Sequence, residues 1–206
     1  MTDRPGDPSV SDGTGGDTDS GGESAEAARW DWPVVESVVE YDNEWYTGGY
    51  DLVEQPDGTR KRYYWAKLPP AVVVVAVANG KLVMVEQYRP AIAEHCLELP
   101  AGIVESGESA TTAGARELRE ETGFEAAGVS LLESFWCTTG LLCHRRSVVF
   151  AEGLSPVEPD LDANEFLSVR AVPIEEALGL ARAPPANDAT IEGLLLARET
   201  GLLSGD

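Results

Sequence analysis

The stretch Gly102–Phe124, GIVESGESATTAGARELREETGF, decides the reading of this chain. It gathers Glu108, Glu117, Glu120 and Glu121 with Arg116 around one predicted helix. At about 100° per residue, Glu117, Glu120 and Glu121 fall within an arc of roughly 100° on one helical face. Carboxylates crowded that closely repel unless a cation holds them, and oxygen ligands suit a hard divalent ion, so the face reads as a magnesium site. The alternative is a solvated acidic helix face, the ordinary fate of glutamates. Ser109 is placed to cap the first turn, and Gly123 to end the helix in the left-handed conformation. Gly102 and Gly107 bracket a tight loop ahead of it. Ala110, Ala113, Ala115 and Leu118 favour helix and offer a small apolar surface.

The spacing Gly102, five residues, Glu108, seven residues, then Arg116-Glu117-Leu118-Arg119-Glu120-Glu121-Thr122-Gly123-Phe124 resembles the complete signature of the Nudix hydrolases, with both apolar positions filled. The resemblance implies hydrolysis of a nucleoside diphosphate linked to another group, with Mg2+ or Mn2+ as the essential ion. It makes Glu117 and Glu121 metal ligands, Glu120 a third, and the main-chain carbonyl of Ala101 a further one. Glu108 and Arg116 are then a pair that orients the loop, with a structural rather than a chemical part. The chemistry is consistent with those donors. Attack on a pyrophosphate is opposed by the charge of its own oxygens, and a metal that neutralises them and acidifies a bound water meets both obstacles.

Around the motif, 206 residues can bury one sizeable core. No apolar run approaches the roughly 18 to 20 residues of a membrane span, so no membrane partner is expected. Ala71–Ala78, AVVVVAVA, reads as a buried central strand. Further strands are expected near 34–42, 45–54, 60–68, 82–88, 95–99, 129–136, 146–152 and 166–172, with helices at 109–122, 174–182 and 189–200. Gln55-Pro56-Asp57-Gly58 is a turn signal that makes 45–68 a hairpin. The fold class is α/β (α+β): a mixed β-sheet sandwiched between helices and preceded by a small antiparallel sheet. Cys96, Cys137 and Cys143 form no paired ligand spacing with each other or with His95 and His144. They read as reduced structural thiols of a cytoplasmic protein rather than as a zinc site.

Gln87-Tyr88-Arg89-Pro90, Leu97-Glu98-Leu99-Pro100-Ala101-Gly102 and Asn187-Asp188-Ala189-Thr190, with the extra N-terminal sheet, resemble the ADP-ribose pyrophosphatases over about Trp30 to Leu203. In that subfamily the N-terminal sheet forms a swapped homodimer and supplies aromatic residues that stack on adenine. By position Trp45 and Tyr63 match those aromatics, Arg89 matches an arginine at the substrate's phosphates, and Glu98 joins the substrate-binding set. Each has a plainer reading as packing or as a surface ion pair. Glu165 matches a metal-binding or water-activating glutamate and is the first choice of general base, with Asp162 second, because Ala163 stands where some relatives are acidic. The chain reads Cys137-Thr138-Thr139-Gly140 where such enzymes often carry a proline, which bears on the substrate and not on the chemistry. Neighbouring Arg145 and Arg146 either bind phosphate or balance local carboxylates.

The resemblance implies cleavage of ADP-ribose to AMP and ribose 5-phosphate. Other nucleoside diphosphate sugars, dinucleoside polyphosphates and NADH are the runner-up substrates. A non-catalytic Nudix ligand-binding or regulatory module is the reading from another class, disfavoured by the intact set of glutamates. The expected organisation is an acidic tail over 1–29, an N-terminal β-sheet for dimerisation and the adenine pocket over 30–68, and the Nudix domain over 69–206.

The first 29 residues carry seven acidic and two basic side chains and almost nothing to bury, and are read as disordered. They show no basic and then apolar pattern of a secretory signal. Removing their −5 from the chain's −21 leaves −16 on the remainder. That balance argues against nucleic acid as a partner, since nucleic-acid binding leaves a basic footprint. With three lysines among 15 basic residues, it resembles the acidic surfaces of halophilic proteins. Self-repulsion on such a surface is relieved by screening. The melting temperature is therefore expected to rise between about 0.1 M and about 3 M KCl, and an unchanged value over that range would contradict the halophilic reading.

Overall fold

The alternating side chains of Ala71–Ala78 have apolar surface to bury on both sides, and the main sheet is built around that strand. The computed structural model describes residues 31–158 and 166–203; the acidic stretch expected over 1–29, and the candidate bases Asp162 and Glu165, lie outside the described residues. In chain order the described elements are β1 (Val34–Asp42), β2 (Thr47–Glu54), β3 (Arg60–Lys67), β4 (Ala71–Ala78), β5 (Lys81–Arg89), β6 (Glu94–Glu98), β7 (Ala101–Ile103), α1 (Ala110–Thr122), β8 (Phe124–Glu125), β9 (Gly128–Trp136), β10 (Leu142–Cys143), β11 (Arg145–Glu152), β12 (Ser155–Pro156), β13 (Leu167–Pro173), α2 (Ile174–Arg182) and α3 (Asp188–Glu199). The expected elements are all present to within a residue or two at their ends. The short strands β7, β8, β10 and β12 are additions.

The main sheet runs β13-β5-β4-β11-β9, with β6 paired to β5 and β7 to β4. It is mixed: β4 and β11 are parallel, in register Val73 to Val148 and Val75 to Phe150, while the other pairs are antiparallel. Period-two alternation sends Val72, Val74 and Ala76 towards Ala113 and Leu118 of α1. Val73 and Val75 go the other way, into a core with Leu82, Met84, Leu99 and the apolar faces of α2 and α3. The sheet is thus covered on both sides, as the sequence led us to expect.

The N-terminal sheet follows from the hairpin. Gly58 N–H donates to Gln55 O at 2.9 Å, and β2 pairs with β3 from Thr47–Lys67 to Glu54–Arg60. In one respect it departs from a small antiparallel sheet. The two-residue β10 adds to β3 in parallel, Leu142 opposite Ala66, so a segment that follows the motif is stitched onto the N-terminal strands. No helix among the described residues is long and apolar enough to cross a membrane.

The approach of α1 to the sheet is set by a missing side chain. A Cβ on Gly114 would lie 2.6 Å from Val149 Cγ2, well inside van der Waals contact. Gly114→Leu is therefore expected to lower the melting temperature by several degrees, the overpacking cost of about 1–3 kcal/mol outweighing the gain in helix propensity. Calorimetry that finds the variant as stable as the parent would show that the helix can retreat without penalty.

Candidate functional site

The ends of α1 fix which way its glutamates face. Ser109 Oγ accepts from Thr112 N–H at 3.1 Å, and Gly123 closes the helix at φ +68°, its N–H on Arg119 O at 3.0 Å. With that phase set, Glu117 and Glu121 are buried at 7% and 4% exposure. Glu120 stands at the rim with its side chain 30% exposed. Glu121 Oε2 accepts from the N–H of Ala101 at 3.1 Å, which fastens the helix to β7. Gly102 is part of β7 and not of the expected loop, and its hydrogen makes room: a Cβ there would sit 1.9 Å from Glu117 Oε1.

Arg116 is the hub of the cluster. Its Nε and Nη2 bond Glu108 at 3.2 and 3.1 Å, Nη1 bonds Glu117 at 2.8 Å and Glu120 at 3.0 Å, and Nη2 also reaches Ile103 O at 2.9 Å. Glu108 Oε2 further accepts from Glu105 N–H at 3.1 Å, which closes the loop before the helix. The hydrogen bonds from Arg116 hold the Glu108 carboxyl below the usual glutamate range. The Arg116 guanidinium is correspondingly raised, the bonds to Glu108 contributing most.

These residues fit a hard divalent cation. The donors are carboxylate oxygens from adjacent turns of one helix, and the missing side chain of Gly102 lets the Glu117 carboxyl lie against β7. Among the described residues no three His, Cys, Asp or Glu side chains are gathered closely enough to hold a metal ion by themselves.

The remaining candidates separate into those near this cluster and those that are not. Arg89 meets buried Glu98, Nη2 to Oε2 at 2.6 Å, and Glu98 lies three residues before Ala101. Two residues given no individual role in the sequence reading join them. Gln87 Nε2 donates to Glu98 Oε2 at 2.9 Å and Asn187 Nδ2 to Oε1 at 2.5 Å. Asn187 also caps α3, the one signal by which its position was legible. Trp45 is 66% exposed in the β1–β2 turn, beside the strand end where Thr47 pairs with Lys67. Tyr63 lies four residues further along β3, roughly 13 Å by strand rise, edge-on to Trp32 and accepting a hydrogen bond from Gln55. Arg146 pairs with Asp188 at 3.2 Å and Glu192 at 2.7 Å, the charge-balancing alternative, and Arg145 lies over the ring of Trp136.

The Glu108–Arg116 pair gives a pH signature. A depressed carboxyl contributes stability that is fully present above its ordinary value, about 4.3, and is lost as the pH falls towards the folded one. Glu108→Gln is expected to cost about 1–3 kcal/mol near neutral pH, the usual worth of a hydrogen bond to a charged group. In urea titrations the difference from the parent should shrink progressively as the pH falls below about 4.3. A gap that stays constant as the acid range is entered would show that the charge on Glu108 is not what holds the loop.

Comparison with known proteins agrees with this architecture. The NUDIX domain family model matches residues 67–194. The ADP-ribose pyrophosphatase of Bacillus subtilis is 37% identical over 140 residues, covering 66% of this chain and 76% of that protein. The methanol dehydrogenase activator of Bacillus methanolicus is 38% identical over 131 residues, covering 62% and 71%. In fold alone, the crystal structure of an ADP compounds hydrolase superposes with a TM-score of 0.75 at 24% identity, over 82% of this chain and 93% of that one. With the family model spanning more than half the chain, the motif complete and its glutamates held on α1, the chain belongs to the Nudix hydrolase family.

Proposed function

We propose that this Nudix hydrolase cleaves the pyrophosphate bond of a nucleoside diphosphate sugar, with ADP-ribose, split to AMP and ribose 5-phosphate, as the foremost substrate. The observation that carries the reading is the buried pair Glu117 and Glu121 on adjacent turns of α1, with Arg116 bracing Glu117 and the Ala101 amide bracing Glu121. The B. subtilis relative named ADP-ribose pyrophosphatase points to the substrate.

In this reading Glu117, Glu121, Glu120 and the Ala101 carbonyl hold Mg2+, with Mn2+ able to substitute, and Glu165 completes the set. A bound divalent ion supplies charge neutralisation on the phosphates and acidifies water. The protein's own part is to keep the carboxylates turned inward, through the caps of α1 and the Arg116 clamp, and to offer a base. Glu165 is the first choice for that base and Asp162 the second. Residues 30–68 act as the surface of a homodimer. Trp45 and Tyr63 stack on the adenine in a pocket shared between the two copies.

A second reading, a ligand-binding or regulatory module without turnover, is favoured by one observation, the relative named as an activator of another enzyme. AMP release from ADP-ribose with Mg2+ at high salt, beside other nucleoside diphosphate sugars, NADH and dinucleoside polyphosphates, separates the two. Chelation is expected to abolish turnover. Glu117→Gln and Glu121→Gln should each reduce it at least about 100-fold, since a charge lost from a metal clamp forfeits a few kcal/mol of transition-state stabilisation. Near-parental rates in both variants would refute the metal assignment.

A further inference from the structure

The motif arginine cannot serve the substrate. A guanidinium has five N–H donors, and all five of Arg116 are engaged by Glu108, Glu117, Glu120 and the carbonyl of Ile103. Arg89 is differently placed. Its Nε and Nη2 both bond Glu98 Oε2, at 2.9 and 2.6 Å, yet its side chain remains 45% exposed and its Nη1 has no protein partner among the described residues. One edge of this guanidinium is held and the other faces out.

Glu98 is the reverse case. It is only 5% exposed, and both its oxygens are occupied by the protein's own donors, Oε2 by Arg89 and Gln87 and Oε1 by Asn187. Both oxygens of the carboxylate are thus held by the protein's own donors. Its anchorage extends into the helical layer: Asn187 Oδ1 accepts from Thr190 N–H at 2.8 Å, and Thr190 Oγ1 accepts from Leu99 N–H at 3.1 Å, the residue after Glu98. The ring so closed locks the end of β6 to the first turn of α3. Three residues beyond Glu98, Ala101 is bonded to Glu121, so the held arginine and the buried glutamates are served by one short stretch of chain, about 10 Å long at strand rise.

We propose that Glu98 is a positioning residue: it presets Arg89 so that the guanidinium's outer edge meets the phosphates of a nucleoside diphosphate substrate lying over Glu117 and Glu121. The inference rests on the pyrophosphate-cleaving reading above and on the arginine that the family resemblance places at the phosphates, and adds what aims that arginine. An arginine side chain carries much rotamer freedom, and a partner that removes this freedom before the substrate arrives lowers the cost of binding. The fork of a guanidinium suits the arrangement, since one edge can take a carboxylate while the other takes a phosphate.

The test compares Arg89→Ala, Glu98→Gln and the double variant with ADP-ribose and Mg2+. Each single change is expected to raise KM about tenfold with kcat within about twofold, the pattern of lost uniform binding, and the double change to add less than about twofold to either. A merely structural Glu98 would lower stability and kcat without this coupling. An unchanged KM in Glu98→Gln, or effects that multiply, overturns the proposal. Should Glu98→Gln fail to fold, the parent protein alone decides the matter, by labelling with an arginine-specific dicarbonyl read by mass spectrometry. Inorganic pyrophosphate with Mg2+ is expected to slow labelling of Arg89 at least about fivefold, as a phosphate on its open edge requires. Equal labelling with and without pyrophosphate overturns the proposal. Since this readout needs no turnover, a parent protein that releases no AMP sinks the substrate reading while leaving the role of Arg89 to be judged separately.

Discussion

The site depends on one guanidinium. Three carboxylates, Glu108, Glu117 and Glu120, lie on Arg116, more negative charge than a single cation can offset, and the geometry of the loop, the helix and β7 is what lets them approach it. Removing Arg116 would leave three crowded carboxylates without that guanidinium between them. That accounts for the smallness of the surrounding residues. Gly102 has to lack a Cβ because Glu117 occupies the place where one would stand, and Gly114 has to lack one because α1 lies directly on Val149. A helix held further from the sheet would bring Glu117 and Glu121 towards water, where two carboxylates cost little and do little.

The sheet contributes by direction as well as by burial. β4 is apolar on both sides, so α1 is fixed against one face while α2 and α3 are fixed against the other. The chain then crosses from one layer to the other near the site. The segment from β6 to β7 carries Leu99 into the core beneath α3 and, two residues later, presents Ala101 to Glu121 on α1. The hydrogen bonds from Leu99 to Thr190 and from Ala101 to Glu121 therefore tie both helical layers to the same few residues. Positional precision at the carboxylates comes from this double attachment, because neither helix can shift without straining the strand between them.

How much of this was legible in the sequence follows from how local each interaction is. The caps at Ser109 and Gly123, the turn at Gln55–Gly58 and the two-sided strand at Ala71–Ala78 are short-range signals, and the structure has them where they were expected. The pairing of Glu108 with Arg116 was implied by the family resemblance and lies within one loop and one helix. What could not be read is non-local or too short to have a period. β7 and β10 are three and two residues long, and the parallel addition of β10 to β3 joins positions some 75 residues apart, so no pattern of hydrophobicity announces it. Glu98 was placed in the substrate-binding set with the family resemblance. Its saturation by Arg89, Gln87 and Asn187 depends on a contact across 89 residues of sequence, and only the fold reveals it.

The charge of the whole chain sharpens the demands on so few cations. A net −21 repels a diphosphate at long range, and only 15 basic residues are spread over 206 positions. Screening at physiological salt confines the repulsion to about 8 Å, so what matters at the site is which charges lie within that distance of the phosphates. Arg116 is engaged by the glutamates and Arg146 by Asp188 and Glu192, which removes both from competition for an anion. An arginine left free in such an environment would fold back onto the nearest exposed carboxylate and would have to be pulled away again on binding. Pairing Arg89 with a carboxylate that is buried and already satisfied by other donors avoids this, because Glu98 takes one edge of the guanidinium and cannot wrap around the other. On the proposed role of Arg89, a cation in this acidic protein is kept available for phosphate by being bonded on one side to a buried, multiply bonded anion.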